Sequence, residues 1–460
     1  MDIRRRVHFV GIGGIGMSSL AQYYLAKGWR VSGSDLVESE MLVKLKKAGA
    51  EIFIGHKAVN LLERVDRVIF SAAIKEDNPE LEQARILESE IISYAQALGE
   101  LTRQYITIAV SGAHGKSTTT ALLSLMLIEA GLDPTVIIGT RLKEFGGPSP
   151  RRSGFGHAGG GNFRFGQSRY LIIEADEYNK SFLNFFPTIA VITNIDKEHL
   201  DTYGSLDGVI KNFAKYFKNV GSVGALIVNA KDENTKKTLE IWGGDTKVVK
   251  FGGPHFAKAS RGDSPPWRIK IPGDFNQLNA EAAWQAAKLL GVGKLVAEKA
   301  ISNYCGSWRR MEELAWKRPS FAKASAGKQK FFSDYAHHPT EIKVTIKALK
   351  ESFPKKKLVV VFQPHQLERL NNLFNDFIFA FDGADKLILM PVYQVTGREY
   401  SGQKTAKDLY EAIKKEGVYY LKNFAQIVKL TREFPNSVVV FMGAGDIDNG
   451  VRKFFKSKLL

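Results

Sequence analysis

Twice within the first 120 residues a short apolar run ends in a glycine-rich loop that opens directly into a helix-like stretch. Residues 6–10 run into Gly11-Ile-Gly13-Gly14-Ile-Gly16, and residues 106–110 run into Ser111-Gly112-Ala113-His114-Gly115-Lys116-Ser117-Thr118. A chain that passes from strand through such a loop to helix is committed to a parallel α/β sheet. There the backbone N–H groups and the positive end of the helix dipole meet an anion at the strand's C-terminal edge. In the second loop a lysine and a hydroxyl follow the glycines, the residues that neutralise β/γ-phosphate oxygens and hold Mg²⁺. Val110 stands where the longer phosphate-loop pattern has glycine, so the second loop is a shorter Gly-x-x-Gly-Lys-Ser form. The first loop identifies a diphosphate-nucleotide cradle without specifying the nucleotide. Asp35 closes the next strand, about where an NAD-binding protein places its ribose-binding acid.

The alternation continues. Residues 30–34, 51–54 and 67–70 read as further strands of a first α/β unit, with helices over 17–27 and 40–47. A second unit takes strands at 106–110, 170–174 and 189–193 and helices at 117–130 and 277–290. A third takes strands at 331–334, 357–362, 386–390 and 437–442. Three consecutive α/β domains follow: a Rossmann-like one over 1–101, a P-loop-ATPase-like one over 102–311, and a second Rossmann-like one over 312–460. Residues 145–165, 255–267 and 318–330 break the pattern with glycine, serine and basic residues. The last two share Phe-Ala-Lys-Ala-Ser, and all three are expected to be loop insertions that cannot bury enough surface to offset their ordering entropy.

Composition narrows the class. Lys and Arg number 65 against 48 Asp and Glu, a formal charge of +17 that would suit a polyanion. The surplus is scattered, with no helix-turn-helix and no interleaved aromatic-basic motif, so a phosphorylated small substrate is expected rather than nucleic acid. No run of eighteen apolar residues exists to span a membrane. The first loop begins too close to the N-terminus to leave a secretory h-region. Cys305 is the only cysteine. A cytoplasmic protein is the expectation.

Two acidic clusters end strands of the second unit: Glu174-Ala-Asp176-Glu177, and Thr193-Asn194-Ile-Asp196-Lys-Glu198-His199-Leu-Asp201. Carboxylates beside a phosphate loop are hard-oxygen ligands for Mg²⁺.

With these loops come Asn276-Gln-Leu-Asn279, Gly306-Ser-Trp-Arg309-Arg310, Asp334-Tyr335-Ala-His337-His338-Pro and Phe362-Gln-Pro-His365. In this order they resemble the Mur ligases, over nearly the whole chain apart from the three insertions. The resemblance implies ATP-dependent attachment of L-alanine to UDP-N-acetylmuramate through an acyl phosphate, in peptidoglycan synthesis, by a monomer or weak homodimer. Gly11, Gly13, Gly14, Gly16, Asp35 and Ser71 would hold the UDP-sugar. ATP would fall to Gly112, Ala113, His114, Gly115, Lys116, Ser117, Thr118, Asn276, Asn279, Arg309 and Asp334. Lys116, Glu174, His199 and Arg309 would be catalytic, and Ser117, Glu174 and His199 would take Mg²⁺. Tyr335, His337, His365 and Arg369 would form the amino-acid pocket. Gln366 stands where the family's run after Phe-Gln-Pro-His begins with arginine. Other members bear a carbamylated lysine, and Lys211 lies nearby without an assigned role. A tripeptide-attaching ligase of the same superfamily is the nearest alternative, against which Phe362–His365 points to a single amino acid. An NAD-dependent oxidoreductase would leave the loop 112–117 unexplained, and a phosphate-loop switch module would leave the His and Arg cluster of the third domain idle.

Overall fold

The computed structural model describes residues 5–145, 160–253, 267–314, 329–394, 404–413 and 415–457. Its contacts divide the chain into two compact units. One comprises Met1–Arg268 and Leu278–Tyr304, the other Ile269–Gln277 and Cys305–Leu460.

Among the described residues the first unit holds two sheets. In the first, β1 (Arg6–Val10), β2 (Arg30–Asp35), β3 (Glu51–Ile54), β4 (Arg67–Phe70) and β5 (Glu90–Ser93) lie in the order β3-β2-β1-β4-β5, all parallel. The order reverses between β1 and β4. That is where an open α/β sheet leaves a crevice beyond its strand ends, and Gly11 and Ser71 follow those two strands. The second sheet is built from β6 (Ile106–Ser111), β7 (Thr135–Leu142), β8 (Gly161–Arg164), β9 (Tyr170–Glu174), β10 (Ile189–Ile192), β11 (Ala225–Asn229) and β12 (Lys247–Phe251), in the order β12-β11-β10-β6-β9-β7-β8. Only the β7–β8 pair is antiparallel among these described strands. The central strands β6, β9 and β10 are buried apolar runs, as a sheet covered on both faces requires. Their C-terminal ends carry the phosphate loop, Glu174 and Thr193.

The second unit has one described sheet: β13 (Glu312–Glu313), β14 (Lys330–Asp334), β15 (Lys357–Phe362), β16 (Lys386–Leu389), β17 (Val418–Tyr420) and β18 (Ser437–Met442), ordered β13-β14-β18-β15-β16-β17. Pairing is parallel except at β13–β14. The three-sheet α/β architecture expected from the alternation is the observed one. The helix Asp274–Leu289 begins a few residues before the expected 277, and its first turn groups with the second unit.

The insertions need correction at their edges. Most of 145–165 lies outside the described residues, but residues 161–164 form β8 rather than a solvated loop. Val136 and Ile137 of β7 pair with Arg164 and Phe163. Asn162, almost fully buried, donates to the Ile15 carbonyl at 2.7 Å and to Ser18 Oγ at 3.1 Å, and accepts from Gln22 Nε2 at 3.2 Å. The polar residue that reads as loop in sequence thus ties β8 to the helix Ile15–Ala26 that follows the first glycine loop. Likewise Trp267, at the end of the second insertion, is buried, and its indole N–H donates to Glu281 at 3.0 Å. Residues 254–266 and 315–328 lie outside the described set. No helix among the described residues is long and apolar enough to cross a membrane.

Candidate functional site

At the end of β1, the amides of Gly11 and Ile12 donate to the Ser34 carbonyl at 2.9 and 3.0 Å, and Gly13 N–H donates to Asp35 Oδ2 at 2.8 Å. Asp35 therefore shapes the loop itself, whatever else it binds. The following helix starts at an extended Gly14, with no side-chain cap and no acidic residue in its first turn. Its orphan N–H groups and dipole are left available to an anion. Ser71 sits directly over Gly11.

The second loop is clamped from the neighbouring strand end. Ala113 N–H donates to the Asn194 carbonyl and His114 N–H to Asn194 Oδ1, both at 3.0 Å, while Thr193 Oγ and Asn194 Nδ2 donate back to the His114 carbonyl at 2.6 and 2.9 Å. Gly112 has φ +124, and a Cβ there would lie 2.3 Å from Thr193 Oγ, so only glycine fits the clamp. His114 Nε2 lies 3.2 Å from Asp196 Oδ2. Asn279 is buried against Gly115 and accepts from Thr119 Oγ at 3.4 Å, bracing the loop from behind. The helix Lys116–Glu129 likewise begins without a side-chain cap or an acidic first turn. That donor set, with an ammonium and a hydroxyl at its mouth, fits a phosphate chain.

Lys116 Nζ donates to the Gly112 and Ala113 carbonyls at 2.7 and 3.3 Å, and to both oxygens of Glu177 at 3.0 Å. Burial works against the ammonium, yet Glu177, with Asp176 and Glu198 behind it, holds its pKa above the ordinary lysine value. Burial in turn pushes the Glu177 carboxyl up, against the pull of Lys116 and His199. Ser117 Oγ donates to Glu174 Oε2 at 3.1 Å, and Gly139 N–H to Glu174 Oε1 at 2.8 Å. His199, in a left-handed conformation (φ +53), caps the short helix Leu200–Tyr203 and points toward Glu177, 3.9 Å away. Ligand atoms of Asp176, Glu177 and His199 all lie within 4.8 Å of one another. The metal candidates thus fall into two neighbouring sets, Ser117 with Glu174 and His199 with Asp176 and Glu177, and both offer the hard oxygens Mg²⁺ takes. Glu177 has no role in the sequence reading, although it lies in the quoted motif. The order of residues does not say which carboxylate of Glu174-Ala-Asp-Glu turns toward Lys116. Lys211 is exposed on the helix Leu206–Phe217.

In the second unit the sequence-marked residues gather at the ends of β14, β15 and β18. Arg309 is buried, with φ +56. Its guanidinium donates to the Gly443 carbonyl and, at 3.1 Å, to that of Gly445, and stacks over Tyr335 at 4.8 Å. Asp334 accepts from Met311 N–H at 2.7 Å and Ala336 N–H at 2.8 Å. Asn276, expected beside Asn279, is buried in this unit's portion of the helix and donates to the Pro272 carbonyl at 2.6 Å. An aromatic chain runs from Tyr335 to His337 (5.2 Å), on to His365 (6.1 Å) and then to Tyr393, which stacks on His365 at 5.6 Å. Tyr393 carried no sequence signal. Its loop is also joined to the motif through backbone pairing, Tyr393 N–H to the Pro364 carbonyl at 2.8 Å and Gln366 N–H to the Tyr393 carbonyl at 3.1 Å. Arg369 lies one turn beyond Gln366, on the helix Leu367–Asn372.

Burial pushes the Asp334 carboxyl up to about 6, against the opposing effects of Arg310 and its two amide donors. Its folded-state pKa therefore exceeds the ordinary aspartate value. Between roughly pH 4 and 6 the folded chain holds a proton that the unfolded chain has released, so this group's stabilising contribution is present below that window and is lost as pH rises through it. Carboxyl-carbon NMR should give Asp334 a midpoint near 6; a midpoint below about 4, in the unperturbed range, would refute the burial account.

Two glycine loops at sheet switch points, one carrying a lysine and a hydroxyl beside strand-end carboxylates, define a nucleotide-binding α/β protein built to hold phosphate chains. Residues 6–106 match the model of the Mur ligase family catalytic domain, 110–287 that of the Mur ligase middle domain, and 317–445 that of the Mur ligase glutamate ligase domain. The UDP-N-acetylmuramate–L-alanine ligase of Aquifex aeolicus is 35% identical over 472 residues, covering 98% of this chain and 97% of its own. That of Clostridium tetani is 36% identical over 475 residues, 98% of each chain. The crystal structure of the UDP-N-acetylmuramate–alanine ligase of Thermotoga maritima superposes with a TM-score of 0.76 at 27% identity, covering 99% of both chains. The chain belongs to the Mur ligase family.

Proposed function

We propose that this protein joins L-alanine to the carboxyl group of UDP-N-acetylmuramate, with ATP converted to ADP and phosphate, in peptidoglycan synthesis. The observation that carries the reading is the second loop, where an uncapped helix start, the Lys116 ammonium and the Ser117–Glu174 pair converge at the end of β6. Full-length likeness to ligases of that activity supports it. In this reading the loop Gly11–Gly16, Asp35 and Ser71 hold the UDP moiety. Residues 112–118 wrap the ATP phosphates, with Asn279 bracing them and Asn276 on the same helix. Lys116 shifts from Glu177 onto phosphate oxygens and offsets the charge spreading over the transferring phosphoryl group. Ser117, Glu174 and His199, joined by Asp176 and Glu177, would hold Mg²⁺, which would supply further positive charge there.

The substrate carboxylate attacks the γ-phosphorus, the bond to ADP breaks, and an acyl phosphate forms. The amine of alanine then attacks the acyl carbon, phosphate leaves, and a proton is released. Tyr335, His337, His365 and Arg369 orient the amino acid, and Arg309 and Asp334 set the loop 443–445 and the turn 334–336 beside it. Use of ATP as cosubstrate supports a cytoplasmic location. Phosphate release should be fastest with UDP-N-acetylmuramate plus L-alanine, and slower with glycine, serine or a murein tripeptide. Fastest release with the tripeptide would overturn the choice of amino acid.

A further inference from the structure

Between the two glycine loops stands a side chain that neither accounts for. Tyr94 is the first residue of the helix Tyr94–Gln104, held there by a capping box between Ser93 and Gln96. The helix is fixed to the segment that follows the second sheet's acidic cluster, with Phe186 N–H donating to Thr102 Oγ at 2.9 Å. Its ring lies against the first loop. A Cβ on Gly16 would sit 2.7 Å from the Tyr94 hydroxyl oxygen and 2.8 Å from Cζ. The missing side chain at Gly16 is therefore explained by Tyr94: the glycine lets the phenol reach the first turn of the helix Ile15–Ala26, where the orphan amides lie.

The ring is half-buried, and among the described residues the hydroxyl makes no hydrogen bond. Burial, together with the nearby carboxylates of Asp176 and Glu174, raises the Tyr94 pKa and keeps the group protonated. It is thus a neutral donor, held between an anion cradle on one side and the acidic end of β9 on the other.

We infer that Tyr94 binds the sugar nucleotide, its hydroxyl donating a hydrogen bond to a diphosphate oxygen seated on the loop Gly11–Gly16. This rests on the first sheet being the UDP-sugar site. A donor at that point would also mark the side of the diphosphate from which the rest of the substrate runs toward Glu174 and Lys116.

Tyr94→Phe keeps the ring against Gly16 and removes only the hydroxyl. Calorimetry on the full chain should show UDP-N-acetylmuramate binding weakened by roughly tenfold, the scale of one hydrogen bond to a charged acceptor, and UDP alone weakened by the same factor. The Michaelis constants for ATP and alanine should change less than about twofold. Tyr94→Leu, which also lacks the hydroxyl, should lose as much or more. Unchanged UDP and UDP-sugar affinity in both variants would make Tyr94 a packing residue and overturn the inference. Loss toward the sugar nucleotide but not toward UDP would move the contact off the diphosphate and overturn it as stated. A wild-type chain that binds neither ligand would instead defeat the reading of the first sheet, before any variant is compared.

Discussion

Lys116→Ala should reduce turnover by roughly a thousandfold or more while the nucleotide still binds, because it deletes the cation closest to the phosphoryl group in transit. The structure adds a second consequence. Glu177 is 1% exposed and both its carboxylate oxygens face Lys116 at 3.0 Å. Removing the lysine leaves a buried carboxylate without its cation, and breaking a buried pair from one side costs about 3–5 kcal/mol unless the survivor takes up a proton. Lys116→Ala alone should therefore lower the melting temperature as well as the rate. Adding Glu177→Gln removes the stranded charge, so the double variant should recover most of the stability and none of the turnover. Single-turnover phosphate release and thermal melts on the wild type, both single variants and the double variant would separate the two effects. If Lys116→Ala kept more than about a tenth of wild-type activity, or if the double variant regained turnover, the role given to this loop would be wrong.

How far the sequence discloses this protein depends on whether a signal is local. Strands such as Arg6–Val10 and Lys357–Phe362 are apolar runs buried on both faces, and composition alone locates them. The glycine loops are equally legible, since a positive φ or a close approach leaves its mark as a residue type. β8 is different. Gly-Asn-Phe-Arg has neither alternation nor a β-branched residue, and it becomes a strand because β7 offers it an antiparallel edge and Asn162 finds partners on another helix. Lys116–Glu177, Tyr94–Gly16 and His365–Tyr393 are likewise pairings across the fold. They span sequence separations that no window reveals, and one member of each, Glu177, Tyr94 and Tyr393, has no role legible in the sequence. The sequence marks the phosphate loop as a candidate site by residue type, whereas it does not choose among Glu174, Asp176 and Glu177 for each task.

In the proposed amino-acid pocket, Arg369→Ala should be the severe change. Gln366 stands where the resemblance leads one to expect arginine. It sits at φ +66, ahead of the helix Leu367–Asn372, with its amide fixed to the Tyr393 carbonyl at 3.1 Å. Arginine at that position would face the same left-handed backbone cost as glutamine, so exchanging them tests the head group rather than the turn. Gln366 is the residue that precedes the helix, and Arg369 lies in its first turn. A carboxylate held there by one guanidinium and one amide loses its only charged donor in Arg369→Ala. A charge-assisted hydrogen bond is worth about 1.5–3 kcal/mol, so the Michaelis constant for alanine should rise by roughly 10- to 100-fold, with that for ATP little changed. Gln366→Arg replaces a neutral bond of about 1 kcal/mol with a charged one and should lower the same constant several-fold. Initial rates with alanine varied at saturating ATP and sugar nucleotide read both effects. A mild Arg369→Ala together with a harmful Gln366→Arg would mean that the carboxylate is held elsewhere. The pocket would then have to be sought on the other side of His365, away from the helix that carries Arg369.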